Sequence, residues 1–244
     1  MSDFLKANAL EFHQWVMQLG FDLSVAQIEQ FNRYADLLIE WNKSRNLTAI
    51  DDYQGIFIKH FYDSLSMLSV IGEQQSISRL MDLGTGAGFP GLPLKIVMPD
   101  LRLTLCDSLY KRVEFLEFVT ADLGLSDVTI VHSRAEQLAL DSFHRESYSH
   151  LVSRAVAQLP TLIEWAFPFL MVNGHFYAMK GPSAMTEWDD AKNAIHVLKA
   201  ALANQFSYTL PFDMGSRLIL DIKKLSPTSR QFPRRSGEAT RNPL

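Results

Sequence analysis

The spacing of apolar residues changes character near residue 75. Before that point apolar positions recur every three or four residues, the period of a helix that buries one face. Phe12, Trp15, Val16 and Leu19 form one such stripe, and Gly20 is placed to close it. Ser24-Val-Ala-Gln27 has the form of a capping box, in which Ser24 and Gln27 satisfy free amides at a helix start. Ile28, Phe31, Leu38 and Trp41 continue it as a second stripe, and a third helix is expected over residues 56–71.

Beyond residue 75, short apolar runs alternate with helical stripes. Strands are expected at 79–83, 101–106, 128–132, 150–153 and 175–180, with helices at 90–98, 108–123, 159–170 and 184–203. Ser108 is placed to cap the helix at 108–123 and Gly124 to end it; Ser133 is placed to cap a short turn after the third strand. Two consecutive strands, 206–210 and 217–225, close the pattern around a turn at Asp213 to Gly215. Alternating strands and helices imply a parallel sheet covered on both faces, and the closing pair implies an antiparallel hairpin. The expected fold class is therefore α/β, a doubly wound sheet, mostly parallel, with an antiparallel C-terminal edge hairpin and an N-terminal helical extension. The expected divisions are an extension at 1–75 packed on the core, a main domain at 76–225 and a basic tail at 226–244.

In such a sheet the ligand lies beyond the carboxyl ends of the strands, where the chain order reverses. The loop after the first strand reads Asp82-Leu-Gly-Thr-Gly-Ala-Gly88. Gly84, Gly86 and Gly88 allow sharp turns and leave no Cβ in a ligand's path. A methyl donor would lay its amino-acid end and ribose over this loop, with Asp82 a candidate for its ammonium. Asp107, twenty-three residues beyond Gly84, is a candidate acceptor for ribose hydroxyls or else a helix cap. Ser133-Arg-Ala-Glu136 follows the third strand and either reads a purine edge, through backbone amides and Glu136, or forms only a capped turn. Arg154 and Lys180 end the fourth and fifth strands at the cleft rim, where a cation can meet a carboxylate or a phosphate. They are the candidate catalytic residues, neither with an assigned step. Gly86-Ala-Gly-Phe-Pro-Gly91 also fits the dinucleotide pattern, so an NAD-dependent oxidoreductase using the Gly86, Gly88 and Gly91 register stays open. That register begins late, and no proton-shuttling pair stands out downstream. In the extension, Trp41 reads as core, Asn42 and Asn46 as more than turn chemistry, and His60 with Asp63 as a structural hydrogen-bonded pair on one helical face.

Composition excludes more than it identifies. With 244 residues, 47% hydrophobic and 20% charged, the chain has the balance of a globular protein with a sizeable core. No apolar run approaches the roughly 18 residues of a membrane span, and the first residues lack a signal-peptide pattern. The single Cys106 rules out an intramolecular disulfide, and no His, Cys or acidic cluster has metal-ligand spacing. A cytoplasmic monomer with no metal and no membrane partner is expected. The net charge of −4 argues against nucleic acid as a partner, but the C-terminal end differs. From residue 217 onward Arg217, Lys223, Lys224, Arg230, Arg234, Arg235 and Arg241 face only Asp221 and Glu238. Screening over about 8–10 Å lets such a local excess meet phosphates; a frayed terminus is the other reading.

Together these segments resemble the ribosomal RNA small-subunit methyltransferase G family, also called the glucose-inhibited division protein B family. The resemblance runs from about Gln27 to the C-terminus. It rests on Trp41-Asn-Lys-x-x-Asn-Leu-Thr48, His60-x-x-Asp-Ser64, Asp82-Leu-Gly-Thr-Gly-x-Gly-x-Pro-Gly91, Asp107-Ser-Leu-x-Lys-Arg112 and Ser133-Arg-Ala-Glu136. Ser153-Arg-Ala155, Phe176-Tyr-Ala-x-Lys-Gly181 and a tail with Pro-Arg-Arg235 extend it. It implies a Rossmann-like methyltransferase that uses S-adenosylmethionine on 16S ribosomal RNA, or on the small ribosomal subunit, to form 7-methylguanosine in the 530 loop. Family cofactor contacts would fall on Gly84, Phe89, the Ala135–Glu136 pair and Arg154; Phe89 replaces a frequent leucine, which a backbone contact tolerates. Guanine N7 carries an unprotonated lone pair, so no general base is expected and positioning should dominate. The base would leave its stack and rest on an aromatic ring that the sequence does not identify. Arg154, Lys180 and the basic tail are the expected RNA contacts, and Arg154→Ala is expected to lower activity far more than thermal stability. A non-catalytic ribosome-binding protein on the same fold is the third reading.

Overall fold

The computed structural model describes residues 11–71, 77 and 79–244; the boundary expected between residues 75 and 76 lies outside them. In the extension, residues 11–18 form α1, and Gly20 follows with φ +89°. The capping box then starts α2 (Val25–Arg45): Gln27 N donates to Ser24 Oγ at 3.3 Å and Ser24 N to Gln27 Oε1 at 2.9 Å. Asn46, left-handed at φ 47°, ends it. The third helix begins earlier than expected because Asp52 caps it, its Oδ1 accepting from Gly55 N at 2.7 Å. Here α3 (Tyr53–Gly55) passes through a π-helical stretch (Ile56–Tyr62) into α4 (Asp63–Leu65), and α5 (Leu68–Ile71) follows. π-Turns widen a helix and gather at functional sites, and this one carries His60, with Asp63 directly after it.

The remaining order is β1 (Arg79–Leu83), α6 (Gly91–Val97), β2 (Arg102–Asp107), α7 (Tyr110–Asp122), β3 (Val128–His132), α8 (Ala135–Leu138), β4 (Tyr148–Arg154), α9 (Leu159–Ala166), β5 (Leu170–Lys180), α10 (Ala184–Asp190), α11 (Lys192–Leu198), β6 (Ala200–Thr209), β7 (Ser216–Lys224) and α12 (Glu238–Arg241). One sheet of seven strands has the order β3-β2-β1-β4-β5-β7-β6. The strands β1 to β5 run parallel, and β7 lies antiparallel between β5 and β6. The order reverses between β1 and β4, which places the ligand crevice outside their carboxyl ends.

Alternate residues of a strand point to opposite faces, and here both faces are buried. Leu80 joins Phe31, Tyr34, Phe57, Phe61 and Leu92 under the extension, while its neighbour Met81 joins Leu151, Leu162, Phe176 and Leu220 on the other side. The extension therefore supplies much of the core on one face of the sheet. Among the described residues, no helix is long and apolar enough to cross a membrane.

Several expected boundaries move. Ser108 does not cap α7; instead Asp107 Oδ1 accepts from Leu109 N at 2.9 Å. Ser133 does not cap α8, since its hydroxyl donates to Arg134 O. The helix expected at 184–203 divides into α10 and α11 and ends at left-handed Lys199, and residues 200–203 enter β6. Their Ala-Ala-Leu-Ala run suits a helix, but pairing with β7 overrides propensity.

The largest difference is at 226–244, which is neither frayed nor detached. Arg145 donates to Thr228 O, Ser229 O and Phe232 O at 3.0–3.2 Å. Arg234 clasps the fully buried Glu164 of α9 through Nη2 at 2.6 Å and Nε at 3.0 Å, and its backbone N adds a third bond. Of the basic excess, Lys224 is buried against Glu146 at 2.6 Å and Arg217 approaches Asp63 at 3.4 Å. Arg230, Arg235 and Arg241 remain exposed.

Candidate cofactor site

The loop after β1 is held before any ligand arrives. Gly84 N and Thr85 N donate to Cys106 O at 2.8 and 3.1 Å, and Gly86 N donates to Asp107 Oδ2 at 2.9 Å. Two glycines matter for different reasons. At Gly84, φ is +72° and a Cβ would lie 2.7 Å from Val156 Cγ2; at Gly86, φ is +63° and a Cβ would meet no atom within 4 Å. Gly84 thus permits close packing against the loop after β4, whereas Gly86 leaves an open face.

Asp82 does not occupy the place foreseen for it. It is fully buried and lines neither cavity described below. Its Oδ2 accepts from Thr85 Oγ1 at 2.7 Å and Gly91 N at 2.8 Å, so it shapes the loop and the start of α6, while Oδ1 has no partner among the described residues. Burial outweighs those two bonds and pushes the carboxyl up to about 7.

Two cavities adjoin this loop, one of about 1070 Å³ and one of about 170 Å³, sharing Gly84, Asp107, Ser108, Val156, Trp165 and Thr240. Asp107, at the end of β2, borders both. Its carboxylate accepts from Leu109 N, Gly86 N and Arg112 Nη1. A carboxylate has about four lone-pair sites, so it combines loop anchor with spare acceptor capacity. Ala135 and Glu136 border the small cavity, and Glu136 Oε1 already accepts from Gly237 N at 2.9 Å.

Arg154 borders the large cavity, but its guanidinium is turned into the extension. Nη1 donates to Lys59 O at 2.9 Å and Asp63 Oδ2 at 2.8 Å, and Nη2 to His60 Nδ1 at 3.1 Å. Arginine has no acceptor, so His60 Nδ1 is unprotonated and His60 Nε2 donates to Thr48 Oγ1 at 2.9 Å. Burial and then the Arg154 charge lower the His60 pKa to about 3, so the ring is neutral. His60 stacks on Phe89 at 4.4 Å and 12°, with Arg154 5.1 Å from the Phe89 centroid. His60 and Asp63 thus form no mutual pair; both are partners of Arg154. Asp63 also accepts from Tyr208 Oη at 2.8 Å.

Lys180 borders the same cavity and donates to Ala157 O at 2.5 Å and Glu187 Oε2 at 2.8 Å. Asn42 Oδ1 accepts from Leu47 N and Thr48 N, tying the end of α2 to the segment that reaches His60. Trp41 packs against Phe115, as core.

Sequence reasoning missed Trp165, Val156, Gly237 and Thr240, all of which border these cavities. Trp165 sits in an apolar helix and gives no local signal, and the others depend on distant packing. The site suits a nucleoside with a charged amino-acid end: an open glycine face, a buried carboxylate with one free lone pair, and a second chamber of about 170 Å³.

Comparison with known proteins bears on the family and the fold. A profile described as rRNA small subunit methyltransferase G matches residues 27–210. A ribosomal RNA small subunit methyltransferase G from Alkaliphilus metalliredigens is 44% identical over 93% of this chain and 95% of its own length. One of the same name from Geobacillus kaustophilus is 42% identical over 97% and 99%. Among solved structures, a SAM dependent methyltransferase from Aquifex aeolicus superposes with TM-score 0.52 at 14% identity, over 73% of this chain and 97% of that one. TrmN from Thermus thermophilus gives 0.52 at 15% identity, over 69% and 53%. At these identities the structural matches establish the Rossmann-like fold and nothing finer.

Proposed function

The chain belongs to the rRNA small subunit methyltransferase G family, and we propose that it methylates N7 of a guanine in the 530 loop of 16S ribosomal RNA, using S-adenosylmethionine. The observation that carries this to particular residues is the pair of adjoining cavities outside β1 and β4, walled by Gly84, Gly86 and Asp107. Bound there, S-adenosylmethionine supplies a methyl group on a positively charged sulfur. The open face at Gly86 admits the ribose, and Asp107 accepts from a ribose hydroxyl with the one lone pair that Gly86, Leu109 and Arg112 leave free. Ala135 and the unengaged oxygen of Glu136 meet the purine in the small cavity. Phe89 and Arg154, held by His60 and Asp63, wall the amino-acid side. Asp82 acts through the loop it shapes.

Guanine N7 attacks without losing a proton, which agrees with a site whose imidazole, His60, has both nitrogens engaged. The protein's task is to hold the base, methyl and sulfur in line, an effect worth about 7–11 kcal/mol in favourable cases. Because Arg154 and Lys180 are engaged internally, phosphate contacts move to exposed cations: Arg134 beside the small cavity, and Arg235 and Arg241 flanking Thr240. A substrate carried on ribosomes assigns the reaction to the cytoplasm.

Nothing in the site favours the oxidoreductase reading, since Lys180 is committed to Glu187 and the Ala157 carbonyl, and both ring nitrogens of His60 are engaged. The test is calorimetric titration with S-adenosylhomocysteine and NAD, followed by transfer of labelled methyl to small-subunit RNA and mapping of the modified nucleotide. Binding of S-adenosylhomocysteine alone and label at N7 of one guanine are expected. Binding of NAD alone, or binding with no transfer to RNA, would refute the proposal.

A further inference from the structure

We propose that the C-terminal segment completes the cofactor site, with Trp165, Gly237 and Thr240 forming part of its wall and meeting the purine of the ligand. The inference rests on the S-adenosylmethionine reading above and adds residues to it that neither the loop after β1 nor the family resemblance identifies.

Three observations carry it. The cavity of about 170 Å³ is lined by Leu83, Cys106 and the loop at Ser133 to Ala135 together with Trp165, Gly237 and Thr240. Trp165 and Thr240 also border the large cavity, where Pro243 joins them. The chain's last residues therefore enclose the chamber that the sheet leaves open.

The second observation is the ring of Trp165. It borders both cavities, while its indole Nε1 is buried and out of a ligand's reach. What the side chain offers a ligand is therefore its apolar ring carbons, a surface that suits the flat ring of a purine.

The third is how the segment is fastened. Gly237 N donates to Glu136 Oε1 at 2.9 Å, Thr161 Oγ1 to Ala239 O at 3.0 Å, and Arg234 Nη2 to Asn242 O at 2.9 Å. Glu136 stands in the wall of the small cavity, so one carboxylate touches both the segment and the ligand space. Docking of the segment and occupation of the cavity therefore share residues. Such coupling is reciprocal: a docked segment tightens the ligand, and the ligand holds the segment down.

Two measurements test this. In the first, the wild-type chain is digested with trypsin with and without saturating S-adenosylhomocysteine, and cleavage after the exposed Arg235 and Arg241 is followed by mass spectrometry. Ligand should slow both cuts at least tenfold. In the second, S-adenosylhomocysteine is titrated into wild type, Trp165→Phe and a chain ending at Ser236, which keeps the Arg234–Glu164 pair. Trp165→Phe keeps an aromatic side chain in α9 but removes the larger indole surface from the wall of both cavities, so affinity should fall about five- to tenfold. The shortened chain should lose tenfold or more. If the shortened chain does not fold, protection and Trp165→Phe decide. Unchanged cleavage, or Trp165→Phe affinity within twofold of wild type, overturns the inference while leaving the cofactor reading intact. Failure of wild type to bind S-adenosylhomocysteine at all overturns that reading and this one with it.

Discussion

Replacing Arg154 with alanine should unfasten the extension from the sheet. The side chain is 14% exposed and its partner Asp63 4%, so solvent screens this pair little. Removing one member of a buried ion pair costs about 3–5 kcal/mol when the other is stranded. Asp63 is not stranded, because Tyr208 Oη at 2.8 Å and Arg217 Nε at 3.4 Å remain. His60 Nδ1 and Lys59 O each lose one donor. A net loss of about 2–3 kcal/mol follows, the worth of one to two hydrogen bonds to a charged group. For a chain of this size that lowers the melting temperature by about 4–12 °C. The assay is urea denaturation of wild type, Arg154→Ala, Asp63→Asn and the double variant, with hydrogen exchange over residues 53–65. We expect a coupling energy above about 1 kcal/mol and lower protection in that segment. Stability of Arg154→Ala within about 0.5 kcal/mol of wild type, or strictly additive variants, would refute the reasoning. A loss of that size would revise the expectation that Arg154→Ala lowers activity far more than thermal stability, because Arg154 both borders the cavity and fastens the extension.

Other consequences follow from the same interactions. His60, held near pKa 3 in the native chain against about 6.5 unfolded, binds a proton only on unfolding between those pH values, so its contribution lowers stability as pH falls from 6.5 toward 3. His60→Gln should reduce the pH slope of unfolding free energy between pH 6 and 4 by about 1.4 kcal/mol per unit; equal slopes would remove His60 from the account. Gly84→Ala should lower the denaturation midpoint more than Gly86→Ala, because only the first Cβ strikes Val156. Gly86→Ala should carry a left-handed strain of about 1–2 kcal/mol yet weaken S-adenosylhomocysteine at least tenfold, and retained affinity would show that no ligand crosses its open face. Arg235→Gln with Arg241→Gln should weaken binding to the RNA substrate and flatten its salt dependence, by about 0.7 in log–log slope for each phosphate of single-stranded RNA that is no longer neutralised; an unchanged slope would return these arginines to solvent.

The alternation of strands and helices, the capping box at Ser24, the strand spans at Arg79–Leu83 and Val128–His132, and the glycine loop were all legible in the chain. Each depends on neighbours a few residues apart, and side-chain periodicity reports directly which face is buried. Those local patterns also located the crevice, because a strand followed by glycines and a helix has few ways to pack. Where helical and extended preferences are nearly equal, as at residues 200–203, pairing with β7 decided. The roles of charged residues were decided the same way, by partners remote in the chain. Arg154 meets Asp63 across 91 residues, Arg234 meets Glu164 across 70, and Gly237 meets Glu136 across 101. A lone arginine in a sequence reads equally as a phosphate ligand or as half of an ion pair, because its charge and length suit both. Only the fold supplies the carboxylate that settles which. The sequence by itself therefore determined the sheet, the loop and the family, whereas the tertiary structure turned Arg154 inward and packed a supposed tail against α9 and the rims of both cavities.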